Sequence, residues 1–495
     1  MIVSRFFSTV RAVFGRGAAW AARRPAAAAG LALVLPFFVA LKTSVYDTFY
    51  YDALGYWHLS GDYWASGSFR FTSFSNILRG YFFPLVLAPL AWLNTHYDYP
   101  PIALVRGLGL ATAVGLFAVV APALWRAVQE PPAPAVPWGR RLVFGLVGLV
   151  VWGGYFNFPL TDFPALLALL TGLYLLVATR GAGGGLLAGM AVAAAVNCRP
   201  VYLAALPVAA LLCLWPQPAL AAAAGQRWRG AARRLAFGLG VGAVLYPQYV
   251  VNLTHYHVRS PLVLAVMPGD KSLFLWQLEV GLEVQKYETN VGDDYPEATV
   301  FFRDAASTRW ATAAGLLPLT SYGQYAQAIA RHPVGWLGLL GRRLFNGLDV
   351  QYSTPYLKAV YTGTWPLALL NYTALLGGLG VLVLGGRRRG PHPRRLLVLA
   401  AVLAPCAAVL PGAMECRFLL PLHLLLVAAG AFGTPPLRHW RRLAGRWAVV
   451  GALAYTGALA GCFALSANTQ RQLKWKPRRV FDWPTPAPAP APEPW

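Results

Sequence analysis

Apolar residues along this chain come in long unbroken runs, with charged residues gathered in short clusters between them. A helix needs about 20 mostly apolar residues to cross a bilayer, with about 17 as the lower limit. Eleven uncharged runs meet that test: 25–41, 107–125, 142–161, 163–179, 181–198, 200–226, 235–254, 359–386, 396–414, 418–437 and 447–470. The run 81–93 is shorter and holds Pro84 and Pro89, which predicts a re-entrant or interfacial helix. Two intervening segments are long enough to form structure, 46–106 and 255–358, the second with an amphipathic stretch at 322–348. The pattern predicts an all-α polytopic membrane protein of about eleven transmembrane helices with two long extracytoplasmic loops. Residues 1–24 form a cytoplasmic N-terminal segment in this reading. Residues 25–465 form the transmembrane domain, and 466–495 an extracytoplasmic tail whose alternating Pro and Ala at 484–494 favour a polyproline-type extension. No internal repeat divides the runs into inverted halves.

Composition sharpens the class. The 495 residues are 57% hydrophobic and only 12% charged, against about 25% charged in a soluble chain. Mean hydropathy is +0.49. A cytosolic enzyme, a disulfide-stapled secreted domain and a disordered chain are thereby excluded. The five cysteines have unrelated spacings and lie mostly in apolar runs, so they read as small core hydrophobes. The net charge of +24 resembles a nucleic-acid signal, but no nucleic-acid motif accompanies it. Its arginines instead follow the positive-inside rule. With the N-terminus inside and eleven crossings, 22 of the 42 basic residues fall on the cytoplasmic side, from Arg5 to Arg446. Counting 81–93 as a span would break that bias. The first run is flanked by Arg23 and Arg24 and lacks a small-residue cleavage site, which predicts a retained anchor.

Acids follow the opposite rule. Of the 18 Asp and Glu residues, only Glu130 falls inside. Eight lie between 270 and 304, where solvation of an outer loop explains them. Asp162 and Glu415 resist that account, because they sit in very short turns against hydrocarbon, where an ionised group is costly.

In the first outer loop, a helical projection puts Asp52, Tyr56, Leu59 and Tyr63 on one side, with Asp47, His58 and Asp62 on another. An interfacial aromatic belt with a capping Asp accounts for the same residues. The Asp52-x-x-x-Tyr56 spacing in a long first loop resembles the polytopic glycosyltransferases of the GT-C superfamily. Further matches follow in order. They are Arg79-Gly80-Tyr81-Phe82-Phe83-Pro84 before an interfacial helix, Arg106, and Asn157-Phe158-Pro159-Leu160-Thr161-Asp162. After these come Asn197-Cys198-Arg199-Pro200, Arg331-His332-Pro333, and Glu415-Cys416-Arg417-Phe418 with Pro421.

That resemblance implies a transferase at the cell's inner (plasma) membrane, with its site on the extracytoplasmic side. It also implies a polyprenyl-phosphate-linked sugar as donor, and transfer with inversion to a glycolipid, polysaccharide or protein. Asp52 and Asp162 become the catalytic carboxylates. Tyr56, Arg106, Arg199, Glu415 and Arg417 become substrate-binding residues. Ala53 stands where many relatives carry a second acid, so a divalent metal stays open, and no large soluble domain follows the last run. General chemistry asks for the same groups: a carboxylate for the acceptor proton and cations for the departing phosphate. Snorkelling to headgroups is the competing role for those arginines.

His255-Tyr256-His257 places two rings on opposite sides of a helix and reads as a bystander to metal chemistry. Asp293-Asp294 reads as a turn and Asn252-Leu253-Thr254 as a chance sequon. The competing function class is a transporter or lipid flippase that binds coupling ions at Asp52, Asp162 and Glu415.

Overall fold

The computed structural model describes residues 19–129, 134–215, 224–267, 270–292, 299–358, 364–388, 392–433 and 446–473. Most of the N-terminal segment, Glu130, Asp293-Asp294, Arg438, Arg441, Arg442 and the Pro/Ala tail lie outside the described residues.

Every apolar run contains a helix. In chain order come Pro25–Lys42 (α1), Tyr51–Gly61 (α2), Phe82–Tyr97 (α3), Pro101–Ala127 (α4), Trp138–Trp152 (α5), Asp162–Ala178 (α6), Ala182–Cys198 (α7), Leu206–Leu214 (α8) and Ala224–Tyr256 (α9). The segment between α9 and the next long helix adds Leu273–Glu283 (α10), strands Val284–Asn290 (β1) and Thr299–Arg303 (β2), Ala305–Ala313 (α11), Tyr322–Arg331 (α12), Pro333–Leu348 (α13) and strand Tyr356–Leu357 (β3). Trp365–Arg388 (α14), Pro393–Val409 (α15), Leu420–Gly433 (α16) and Arg446–Leu473 (α17) complete the chain.

Among the described residues, six helices are long and apolar enough to cross a membrane: Pro25–Lys42, Pro101–Ala127, Trp228–Tyr256, Trp365–Val383, Cys416–Gly433 and Val449–Leu473. They make this a helical, membrane-embedded protein. The other runs hold shorter helices for local reasons. α5 stops at Trp152, where Gly153 and Gly154 lead into a 3₁₀ turn through Asn157, since glycine is a poor helix former. Pro200 opens a 3₁₀ turn before α8. The 81–93 run forms most of α3, with Tyr81 at its N-cap and Pro89 inside the helix.

The two ends of the bundle differ in chemistry. α6 begins at Asp162, and the segment leading into α16 begins just after Glu415. At the far end of α6, Arg233 and Arg394 donate to the carbonyls of Leu176 and Val177. At the far end of α16, Arg140 donates to the Phe432 carbonyl at 2.6 Å. Guanidiniums thus satisfy the orphan carbonyls of helix C-termini, where the helix dipole also favours cations. Seventeen residues of helix put about 25 Å between the acid end and the arginine end. α7 and α9 pack closely because Gly189 lies against the Phe237 carbonyl and Gly240 against that of Leu186. Small residues serve this purpose where lipid cannot drive helices together.

Within this predominantly helical chain, residues 273–357 also hold a small sheet. β1 pairs antiparallel with β2 and parallel with β3, giving the order β2-β1-β3. The acids between 270 and 304 do not simply solvate this region. Asp304 is 2% exposed, caps α11 through the amides of Ala306 and Ser307, and pairs with Arg342 at 2.7 Å. Glu288 is buried beside Lys286 at 3.4 Å. A strand carrying Lys and Glu on its buried face has no apolar alternation to betray it. The amphipathic stretch 322–348 divides at Pro333 into α12 and α13, as expected of a residue that ends one helix and starts another well.

Candidate active site

α2 starts under constraint. Tyr51, just before Asp52, has φ of +41°, a conformation costly for a bulky residue and concentrated at functional sites. Tyr356 on β3 holds it there. The Tyr356 hydroxyl accepts from the Ala53 amide at 3.2 Å, and the Tyr46 hydroxyl donates to the Tyr356 carbonyl. Tyr356 in turn belongs to the sheet, so β3 sets the pose of the helix that carries Asp52.

Arg79 grips Asp52 twice, from Nη2 to Oδ1 at 2.6 Å and from Nη1 to its backbone carbonyl at 3.1 Å. The Asn76 carboxamide accepts from the Leu78 and Arg79 amides at 3.0 and 2.8 Å and so shapes the turn that presents this arginine. Gly55 makes room, because a Cβ there would collide with the Arg79 guanidinium. The guanidinium also covers the Tyr56 ring, with Cζ 4.6 Å from its centroid, a favourable cation–π contact.

Arg417 is the hub. Its Nη2 lies 3.4 Å from Asp52 Oδ2, its Nη1 3.6 Å from Asp162 Oδ2, and its Nε 2.8 Å from Glu415 Oε2. Arg199 closes the cluster by pairing with Asp162 Oδ1 and stacking over Phe418 with Cζ 5.2 Å from the ring centroid. Tyr287 on β1 lies against Phe418 in the same turn, with ring centroids 6.2 Å apart. Three carboxylates and three guanidiniums from α2, the 76–81 turn, the α6 start, the α7–α8 turn and the 415–418 turn therefore meet at one end of the bundle. Asp162 and Glu415 are 2% and 1% exposed, while the Asp52 side chain is 46% exposed. The network is charge-balanced, as buried ion clusters must be, and Asp52 is its opening to solvent. Burial pushes the Asp52 carboxyl upward, but Arg79 and Arg417 outweigh it and hold the group below its ordinary value.

Of the residues singled out by sequence, Asp52, Tyr56, Asp162, Arg199, Glu415 and Arg417 come together. Arg106 does not. Its Nε bonds Asn157 Oδ1 at 2.9 Å and its Nη2 the Tyr46 carbonyl at 2.7 Å, so it braces the loop before α2. Arg79 is the member that sequence reasoning quoted within a motif but did not assign to the site. The local signal is Asn76, placed to turn the chain three residues before an arginine flanked by glycine. Asp47 and Asp62 make no pair with these arginines.

Elsewhere, His255 bonds the Thr72 carbonyl at 2.9 Å. Asn252 is fully buried and donates to the carbonyls of Ser260 and Leu262, so its amide does not face a glycosylating enzyme. The three site carboxylates are each engaged by guanidiniums, and among the described residues no group of three His, Cys, Asp or Glu side chains is arranged to hold a metal ion.

A second buried cluster adjoins the first. Lys286, fully buried, donates to the Asp349 carbonyl at 2.8 Å and faces the carboxylates of Glu288 and Asp349 at 3.4 and 3.9 Å. Asp349 accepts from Tyr372 at 2.5 Å and from Ser466 at 2.9 Å, tying α14 and α17 to the end of α13. Comparison of the chain with family models, with curated proteins and with solved structures finds no match in any of the three.

Proposed function

We propose that the chain is a multi-pass membrane glycosyltransferase that moves a sugar from a polyprenyl-phosphate donor to an extracytoplasmic acceptor with inversion. In this reading it crosses the inner membrane eleven times with its N-terminus in the cytoplasm, and the acid end of the bundle faces outward. The observation that supports it is the meeting of Asp52 with Arg417, 365 positions apart, within a cluster that also holds Asp162, Arg199 and Glu415.

The chemistry runs through the chain's own groups. An acceptor hydroxyl approaches the half-exposed carboxylate of Asp52 and gives up its proton to it. Its oxygen bonds the anomeric carbon from the side opposite the phosphate, which inverts the configuration. The bond from that carbon to the phosphate oxygen breaks, and the electron pair leaves with the phosphate. Arg199 and Arg417 meet the charge that grows there, as fixed guanidiniums in a poorly solvated site do effectively. In the resting protein both of Asp52's arginines weaken it as a base. A donor phosphate competing for Arg417 loosens that hold, so Asp52 gains basicity when the acceptor is to be deprotonated.

The buried Lys286–Glu288–Asp349 cluster is the feature that favours the second reading, an ion-coupled transporter or flippase, since such charges line ion paths in other membrane proteins. Radiolabelled polyprenyl-phosphate sugars supplied to membranes separate the two. Covalent transfer that requires Asp52 supports the transferase. Translocation of label without covalent transfer supports the transporter.

A further inference from the structure

Helix α13 is built inside out. Its inward face carries Leu339, Arg343 and Asn346, which are 0%, 0% and 2% exposed. Arg343 donates from Nη1 to the Leu410 and Pro411 carbonyls, and its Nη2 lies 3.4 Å from the Val284 carbonyl. Asn346 donates to Gln285 at 3.0 Å. The opposite face holds Val334, Leu337 and Leu344, which are 82%, 62% and 39% exposed, with Gly338 and Gly341 between them. At 100° per residue these five positions fall within about 120° of one another, directly away from Arg343. A helix that turns Arg343 inward and aliphatic side chains outward, with Arg342 at the edge held by Asp304, is arranged for lipid, not water.

The position of α13 agrees. Its C-terminal end is bound to the outer ends of spanning helices: Asn371 on α14 donates to the Leu348 carbonyl, and Thr469 on α17 donates to Asn346. α13 is not among the helices long and apolar enough to cross a membrane. Charge identifies the surface. From 305 to 348 the chain has no Asp or Glu but carries Arg309, Arg331, Arg342 and Arg343, and Arg309 and Arg331 are exposed.

We infer that α13 lies in the headgroup layer of an anionic lipid surface, with Val334, Leu337 and Leu344 inserted and Arg309 and Arg331 facing the lipid charge, in the manner of interfacial amphipathic helices. Lipid contact on one face of α13 then steadies the backbone at 410–411 on the other, just before the turn that carries Glu415 and Arg417. This inference rests on the membrane placement of the chain and not on the transfer reaction.

The test is fluorescence depth quenching on the full chain, purified and reconstituted. An environment-sensitive fluorophore is attached at Leu337→Cys in a Cys462→Ser background, the other four cysteines being buried. Val334→Cys serves as a second site if Leu337→Cys fails to fold, and Gln327→Cys, exposed on α12, is the control. Vesicles of phosphatidylcholine alone or mixed with phosphatidylglycerol carry a shallow spin-labelled lipid quencher. The label at 337 is expected to be quenched, the control much less, and the quenching to be at least about twofold stronger with phosphatidylglycerol. A label at 337 and 334 that lipid does not quench points to water or an absent protein partner and overturns the inference. Quenching indifferent to phosphatidylglycerol overturns it as well.

Discussion

Removing Arg417 is the most informative perturbation of the ion cluster, because one guanidinium serves three carboxylates. Asp52 keeps Arg79 at 2.6 Å and Asp162 keeps Arg199. Glu415, 1% exposed, loses the one guanidinium that pairs with it among the described residues. Arg417→Gln therefore leaves the cluster one negative charge in excess with a buried carboxylate uncompensated. Breaking a buried pair in this way costs about 3–5 kcal/mol. Glu415→Gln alone leaves Arg417 with Asp52 and Asp162, and should cost less. The double variant restores neutrality, so the two losses should not add, and a coupling energy of about 1–3 kcal/mol is expected for groups in one network. The four buried cysteines, Cys198, Cys213, Cys406 and Cys416, supply the assay. A thiol-reactive fluorogenic dye reports their exposure as detergent-solubilised protein is heated or denatured. Strictly additive effects, or an Arg417→Gln protein as stable as the parent, would refute the claim that Glu415 depends on Arg417.

Further outcomes follow from other parts of the structure. Arg199→Lys is expected to weaken donor use although it conserves charge, because an ammonium cannot fork two phosphate oxygens. Arg199→Ala should weaken it further, in kcat as well as KM, and unchanged kinetics in both would make Arg199 a helix anchor only. Burial is the main cause that raises Glu288 from its ordinary 4.5 to about 7, so the folded state holds a proton that the unfolded state releases. Stability should thus fall as pH rises from about 4.5 to about 7. Glu288→Gln should flatten that part of the profile, which denaturation at several pH values checks. Reporter fusions after Glu130, Gln226 and Arg389 should report cytoplasm and those after Asp294 and Trp475 the exterior. A reversed pair at Glu130 and Asp294 would overturn the topology and the side of the site.

The membrane class was legible because unbroken apolar runs admit few alternatives. Helix ends were less so, since Gly153-Gly154 and Pro200 cut helices short inside runs that stay apolar. The acids Asp162 and Glu415 were legible from cost alone, as charges in turns too short to need them. Arg106 looked equivalent to Arg199, because sequence shows an arginine at the end of an apolar run but not that Asn157 and the Tyr46 carbonyl occupy it. The sheet was hidden for a physical reason. β1 buries Lys286 and Glu288, so its inward residues carry the composition of a solvated loop. Asp349 was hidden likewise, because its partners Tyr372 and Ser466 lie in helices far along the chain.

Transfer from radiolabelled polyprenyl-phosphate sugars by membranes holding the wild type, Asp52→Asn, Asp47→Asn or Asp62→Asn tests the central claim most directly. Asn keeps the shape of Asp52 but cannot take a proton, so transfer should drop about 100- to 10,000-fold in a protein that still inserts. The variants at 47 and 62, whose carboxylates pair with none of the site arginines, should stay close to wild type. Full activity in Asp52→Asn, or no covalent transfer by the wild type from any donor of this class, would contradict the account.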